Sequence, residues 1–206
     1  MNAVFFEANH DGPTQRVHFA RKKALASVAA NSRTDLYGSL ATASEIQSTH
    51  RRLGRFGLFS GMGHGHSRSF CGQLDLDVYD VPNSRGCNST IRDSIVHLYS
   101  CHCAIDLGPH LVRSGAKAFI GYSREVSVSS SQVVAEEYVK VAAAIDRSIL
   151  NGDSPQRTQQ KAEQAYHEAR NRLLGLATAT PRDLAKFQMN HRAMVGPWTN
   201  LLYGNY

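Results

Sequence analysis

The chain has 206 residues, of which 42% are hydrophobic, and a formal net charge of +6. This length suits one sizeable hydrophobic core, so we expect a single domain over residues 1–206. The four cysteines are too few for a disulfide scaffold, and no stretch approaches the roughly 18 consecutive apolar residues that a membrane helix needs. We therefore expect a soluble, cytoplasmic protein with no membrane partner.

The basic residues do not have the pattern of a nucleic-acid interface. They are scattered, or they form short clusters such as residues 21–23 and 51–55 in predicted helices. Aromatic residues, on which bases would stack, do not alternate with them. The pattern indicates solvated helix surfaces and no nucleic-acid partner.

The first part of the chain alternates short apolar runs with helical stretches. The predicted elements are, in order, a strand at 3–6, a helix at 14–31, a strand at 35–40, a helix at 42–54 and a strand at 56–59. The first helix is predicted to bury Val17, Leu25 and Val28. Residues 42–45 match a capping box that starts the second helix. This order is typical of an α/β fold with a doubly wound, mostly parallel sheet.

Two predicted strands end in residues that can carry chemistry. The run at 56–59 leads into Gly63-His64-Gly65, and a second run at 95–99 leads into Ser100-Cys101. A short helix that starts at residues 108–109 and a further strand at 118–122 follow. Neighbouring parallel strands lie about 4.8 Å apart and end at the same sheet edge, so an imidazole can stand near a thiol there.

These residues resemble the caspase-like (clan CD) cysteine peptidases, most closely the bacterial CHAT and gingipain-type domains. The resemblance covers residues 56–126 and includes the strand Gly-Ala-Lys-Ala-Phe-Ile-Gly-Tyr at 115–122. It implies a three-layer α/β/α sandwich around a mostly parallel sheet. Residues 1–128 would then hold the core sheet and the Cys-His dyad, and residues 129–206 would be a helical C-terminal part.

The resemblance implies a catalytic pair, Cys101 as nucleophile and His64 as base. A thiol attacks a carbonyl as thiolate, and a histidine that titrates near neutral pH can take the thiol proton and later protonate the leaving amine. Backbone amides of Gly65 and Cys101 would bind the oxyanion. The expected activity is a cysteine endopeptidase that works through a thioester, with no metal or other cofactor.

The substrate is expected to be a protein or peptide, and an activating protein partner is possible. By the same resemblance, the residues that contact the side chain before the scissile bond are His10, Asp11, Ser123, Arg124 and Glu125. Asp11 or Glu125 would select Arg or Lys, whereas Arg124 would select an acidic side chain. The sequence favours, weakly, cleavage after Arg or Lys.

Two further regions are predicted from composition and periodicity. Residues 67–93 form a long insertion between two core strands, in which the alternation at 74–79 indicates a strand or hairpin arm and part of the substrate groove. In the C-terminal third, apolar residues recur at helical spacing and predict three helices that start near residues 129, 154 and 180, with a possible last strand at 198–203.

Three alternatives remain open from the sequence. Cys103 could replace Cys101 as nucleophile, with His66 as another candidate base. A zinc module could use His64, His66, Cys101 and Cys103, although spacings of one residue are tighter than those of structural zinc sites. The chain could also be a catalytically silent scaffold that recruits a partner through its C-terminal helices.

Overall fold

The computed structural model describes residues 1–26 and 33–199. Within them, a six-stranded sheet has the order β2-β1-β3-β7-β8-β9, in which every pair is parallel except β8 with β9. Its strands are β1 (Ala3–Glu7), β2 (Arg33–Tyr37), β3 (Leu58–Met62), β7 (Ile95–Tyr99), β8 (Ala118–Tyr122) and β9 (Met194–Thr199). The prediction of an α/β fold with a mostly parallel sheet is confirmed.

Helices cover both faces of the central sheet. They are α1 (Gly12–Ala24), α2 (Ala43–Leu53), α3 (Leu107–Arg113), α4 (Gln132–Leu150), α5 (Pro155–Gly175) and α6 (Pro181–Ala193). Because successive strand residues point to opposite faces, Val4 and Phe6 pack in the cluster that contains α2 and α3, whereas Ala3 and Phe5 pack in the cluster that contains α4. The result is three layers, with α5 packed on α4.

The helix ends follow the local signals. Thr42 accepts a hydrogen bond from the Glu45 amide at the start of α2, and Gly54 ends this helix with a φ of 72°. The first helix is shorter than predicted and ends at Ala24, where the Leu25 amide donates to the Arg21 carbonyl. Val28 lies outside the described residues.

The last strand begins earlier in the chain than predicted. Strand β9 starts at Met194, directly after α6, and runs antiparallel to β8 at the sheet edge. Residues 200–206, which include the end of the predicted strand, lie outside the described part of the chain.

The insertion at 67–93 and the two residues before it form a separate, small antiparallel sheet. Its strands are β4 (Gly65–His66), β5 (Ser69–Cys71) and β6 (Asp77–Asp80), in the order β4-β5-β6. The predicted strand at 74–79 therefore starts only at Asp77. Residues 74 and 75 have φ values of 58° and 57°, and this left-handed backbone cannot continue a strand.

Candidate active site

The loops after β3 and β7 meet at one edge of the sheet. The two strands are parallel neighbours, with Met62 paired to Tyr99, and the Gly63 amide donates to the Tyr99 carbonyl at 3.5 Å. His64 and Cys101 both line a single open cleft at this edge of the sheet. The structure thus brings the predicted base and nucleophile to one cleft.

Gly65 forms a close contact between these two loops. A Cβ atom at this position would lie 2.2 Å from the Ser100 hydroxyl and 3.0 Å from the Ser69 carbonyl. A residue with any side chain would have to push the histidine loop away from the residue that precedes Cys101. Glycine is therefore required here for packing, apart from any role in binding an oxyanion.

The imidazole of His64 is held by Asp11. The Nε2–H group of His64 donates to Asp11 Oδ2 at 2.8 Å, and both side chains are a little over one third exposed. Since an ionised carboxylate only accepts, the ring proton of neutral His64 lies on Nε2 and leaves Nδ1 as the basic nitrogen. Asp11 fixes the tautomer that a general base needs.

Asp11 is itself fixed as the N-cap of α1. Its carboxylate accepts hydrogen bonds from the Thr14 amide at 2.9 Å and from the Thr14 hydroxyl at 2.5 Å. Burial raises the pKa of Asp11, but the hydrogen bonds from Thr14 and His64 outweigh it and lower this pKa from 3.8 to about 2. The carboxylate is therefore ionised throughout the neutral range.

Cys101 lies partly exposed between the end of β7 and the loop after β8. The Val126 amide donates to Cys101 Sγ at 3.3 Å. The pKa of the Cys101 thiol is raised above its ordinary value of 9.0, first by burial and further by Glu125, while the Val126 amide acts in the opposite direction. At rest the side chain is a neutral thiol, and a base must remove its proton for reaction.

No hydrogen bond joins His64 to Cys101 in the described part of the chain. Catalytic hydrogen bonds are often long or absent without substrate and form only in the substrate complex. The cleft is therefore lined by a thiol and by an imidazole that Asp11 orients, with no resting hydrogen bond between the two.

The alternative residues lie in different surroundings. Cys103 is fully buried, its Sγ donates to the Ser100 carbonyl at 3.3 Å, and burial raises its pKa to about 12. His66 is exposed on β4 and does not line the cleft, whereas its neighbour Gly65 lies against Ser100. A group of three or more metal-binding side chains that includes Cys101 or Cys103 does not occur among the described residues.

One set of potential metal ligands does lie beside the cleft, namely His10, His64 and Asp75. Their ligand atoms lie within 4.8 Å of one another. The Leu74 amide donates to His10 Nδ1 at 3.2 Å, however, so the ring proton of neutral His10 lies on Nε2, which is 3.3 Å from Asp75 Oδ1. Coordination through this nitrogen would displace that proton and break the bond from Leu74, so these residues fit a metal poorly.

The remaining predicted substrate contacts separate into two kinds. Ser123 is engaged by the end of α6, since its amide and hydroxyl both donate to the Ala193 carbonyl, at 2.8 and 3.1 Å. Arg124 and Glu125 are exposed, and neither lines the cleft. The rings of His10 and His64 pack at a tilt of 55°, with their centroids 5.7 Å apart. The specific roles predicted for these residues stay predictions.

The sequence analysis predicted that Asp11 lies at the site, but as a contact for a substrate side chain. The local signal for its actual contact was present, because Asp11-Gly-Pro-Thr14 is a helix start with an acidic N-cap directly after β1. What the sequence did not reveal was that the neighbouring strand would deliver His64 to this cap. Val126, the amide donor to the thiol, lies in a loop without a recognisable motif and was missed.

In comparisons with known proteins, no family model matches this chain and no curated protein is significantly similar to it. Across the described residues, the helices are all too short or too polar to cross a membrane.

Proposed function

We propose that this chain is a caspase-like cysteine peptidase with a catalytic triad of Cys101, His64 and Asp11. The observation that carries the proposal is the shared cleft, in which a partly exposed thiol and a carboxylate-bound imidazole follow two adjacent parallel strands. The caspase-like motifs in the sequence agree with this arrangement.

The proposed reaction begins when a peptide fills the cleft. His64 Nδ1 takes the thiol proton, and the Cys101 thiolate attacks the scissile carbonyl to give a tetrahedral intermediate. Asp11 stabilises the imidazolium through its bond to Nε2 without becoming protonated, since its pKa is about 2. Backbone amides near the thiol would bind the oxyanion, as expected for Gly65 and Cys101.

Collapse of this intermediate breaks the C–N bond. His64 gives its proton to the leaving amine, and the acyl group stays on Cys101 as a thioester. His64 then takes a proton from water, and the resulting attack releases the carboxylic acid and restores the thiol. Both halves of the reaction use the same nitrogen of His64.

The test is identification of the reactive cysteine with a peptidyl electrophile and mass spectrometry. We expect modification of Cys101 in the wild type, no modification of this site in Cys101→Ala, and unchanged modification in the matched control Cys103→Ala. His64→Ala should slow modification on the order of 100-fold, because the base is lost. Modification of Cys103 with Cys101 intact would refute the assignment.

A further inference from the structure

The cleft beside Cys101 has an apolar wall that extends away from the thiol. This wall consists of Pro13, Val17, Met62, Tyr99, Val126 and Val128. It comes from the start of α1, the ends of β3 and β7, and the loop after β8. These are the elements that surround the reactive sulfur, so the wall lies where a side chain adjacent to the scissile bond would enter.

The polar atoms in this lining are already partnered or uncharged. The Thr14 hydroxyl bonds to Asp11 at 2.5 Å. The Tyr99 hydroxyl accepts from Asn190 Nδ2 at 3.2 Å and donates to the Ser127 carbonyl at 3.4 Å. Ser100 Oγ has no partner among the described residues, but a single neutral hydroxyl cannot compensate a full charge.

The ionisable groups near the cleft do not supply that charge either. Arg124 and Glu125 are exposed and outside the lining, so water screens their charges, although Glu125 is close enough to raise the pKa of Cys101. Asp11 is also outside it, and its carboxylate is taken up by Thr14 and His64. A charged substrate side chain in this cleft would lose its hydration without gaining an opposite charge.

The outer part of the wall is held by the C-terminal helices. Asn190 of α6 is buried, its Oδ1 accepts from the Ser127 amide at 2.9 Å, and its Nδ2 donates to the Ser127 carbonyl at 2.8 Å. Ser127 lies between Val126 and Val128, so this pair of bonds fixes both valines. Side-chain hydrogen bonds therefore hold this wall in place.

We propose that this cleft binds an uncharged, apolar side chain on the acyl side of the scissile bond, such as Leu or Met, and excludes Arg, Lys and Asp. The inference rests on the proposed peptidase function and gives its substrate class. It differs from the basic preference that the sequence favoured.

The experiment measures the rate at which Cys101 is modified by a matched set of peptidyl acyloxymethyl ketones. The members differ only in the residue next to the ketone, namely Leu, Met, Arg, Lys or Asp, and iodoacetamide serves as a reference without a side chain. We expect Leu and Met to react on the order of 100-fold faster than the charged members. Faster reaction of Arg, Lys or Asp, or equal rates for all five, would overturn the inference.

A pair of variants tests the cause of the selectivity. Val128→Asp places a carboxylate in the wall and should raise the rate of the Arg probe at least 10-fold relative to the Leu probe, whereas the near-isosteric control Val128→Asn should not. Equal gains in both variants would contradict the charge argument. If iodoacetamide modifies Cys101 but no peptidyl probe does so faster, the proposed function fails as well. Selective reaction of a charged probe would overturn the apolar preference alone.

Discussion

Two polar clusters lie on the same strands of this protein, one sealed in the core and one open at the sheet edge. The buried charge cluster consists of Glu7, Arg21, Ser60, His97 and Asp146. The cleft triad consists of Asp11, His64 and Cys101. Strands β1, β3 and β7 contribute Glu7, Ser60 and His97 to the buried charge cluster, and helices α1 and α4 add Arg21 and Asp146. The loops that follow the same three strands carry the cleft triad.

The difference between them is access to solvent, since the buried cluster is sealed even though Arg21 Nε and His97 Nε2 have no hydrogen-bond partner among the described residues. In the buried charge cluster, Arg21 Nη2 lies 2.8 Å from Asp146 Oδ2, His97 Nδ1 donates to Asp146 Oδ1 at 2.8 Å, and the Ser60 hydroxyl donates to the same oxygen at 2.6 Å. In the cleft triad, the thiol and one imidazole nitrogen face a cavity. Serine, histidine and aspartate side chains thus stabilise the fold where they are buried, whereas similar groups are available for reaction where they line an open cleft.

The largest predicted effect is the loss of Arg21. Arg21→Met would leave the carboxylates of Glu7 and Asp146 buried without their cation, which lies 3.3 Å from Glu7 Oε1 and 2.8 Å from Asp146 Oδ2. We expect the free energy of unfolding to fall by about 3–5 kcal/mol. Urea denaturation followed by circular dichroism measures this change.

The matched control for Arg21→Met is Lys23→Met, on the same helix. Lys23 Nζ pairs with Glu136 Oε2 at 2.6 Å, but its side chain is 70% exposed. Water and salt screen this pair, so its loss should cost less than about 1 kcal/mol. Similar costs for the two variants would show that burial does not distinguish the two ion pairs.

The second prediction concerns the open cluster. Asp11→Asn keeps an N-cap residue for α1, since Asn caps as well as Asp, but it removes the charge that orients His64. We expect modification of Cys101 by a peptidyl electrophile to slow on the order of 100-fold, with little change in unfolding free energy. An unchanged rate with a lower stability would assign Asp11 to the helix alone.

The third prediction compares two aspartates whose pKa values both lie near 2. Burial raises the pKa of Asp146, but Arg21 and His97 outweigh it and lower this pKa from 3.8 to about 2. The folded-state pKa is depressed, so this stabilisation is complete above about pH 4 and is lost as the pH falls towards 2. It amounts to on the order of 2 kcal/mol.

Unfolding free energies measured from about pH 5 down to about pH 3 test this difference. The fall in unfolding free energy at low pH should persist in Asp11→Asn, because the Asp11 side chain is 36% exposed and solvent screens its interactions. It should be much smaller in Asp146→Asn, which lacks the titrating group. An equal fall in unfolding free energy at low pH in the wild type and in Asp146→Asn would contradict the prediction.

The smallest predicted effect is on the thiol itself. Burial raises the pKa of Cys101 above 9.0, and Glu125 raises it further. The rate of alkylation by iodoacetamide should still increase at pH 9, and Glu125→Gln should shift this pH profile to lower pH. The control is Glu136→Gln, on α4, which should leave the profile unchanged. A profile that levels off near pH 7 would indicate a thiolate already formed at rest.

The sequence predicted the parts of this structure that depend on local patterns. The apolar runs at 95–99 and 118–122 are strands with those bounds, and the alternation of strands and helices led to the correct parallel sheet. Because parallel strands end at one edge, the placement of His64 and Cys101 in a common cleft followed from the same reasoning. These features depend on residues close together in the chain.

The remaining features depend on pairs that are distant in sequence. The prediction of a solvated helix surface is wrong for Arg21, which is buried and pairs with Asp146, 125 positions away in the sequence. Asn190 and Tyr99 are 91 positions apart, and the pattern of the last helix gave no sign of a contact near the cleft. Such contacts are set by how α1, α4 and α6 pack on the sheet, and a periodicity argument does not specify that packing.

The contact between Gly65 and Ser100 has a mechanical consequence. Since a Cβ atom at residue 65 would lie 2.2 Å from the Ser100 hydroxyl and 3.3 Å from the Cys101 carbonyl, the histidine and cysteine loops are in direct contact. A displacement of one loop would therefore move the other, so the imidazole and the thiol at the sheet edge would shift together.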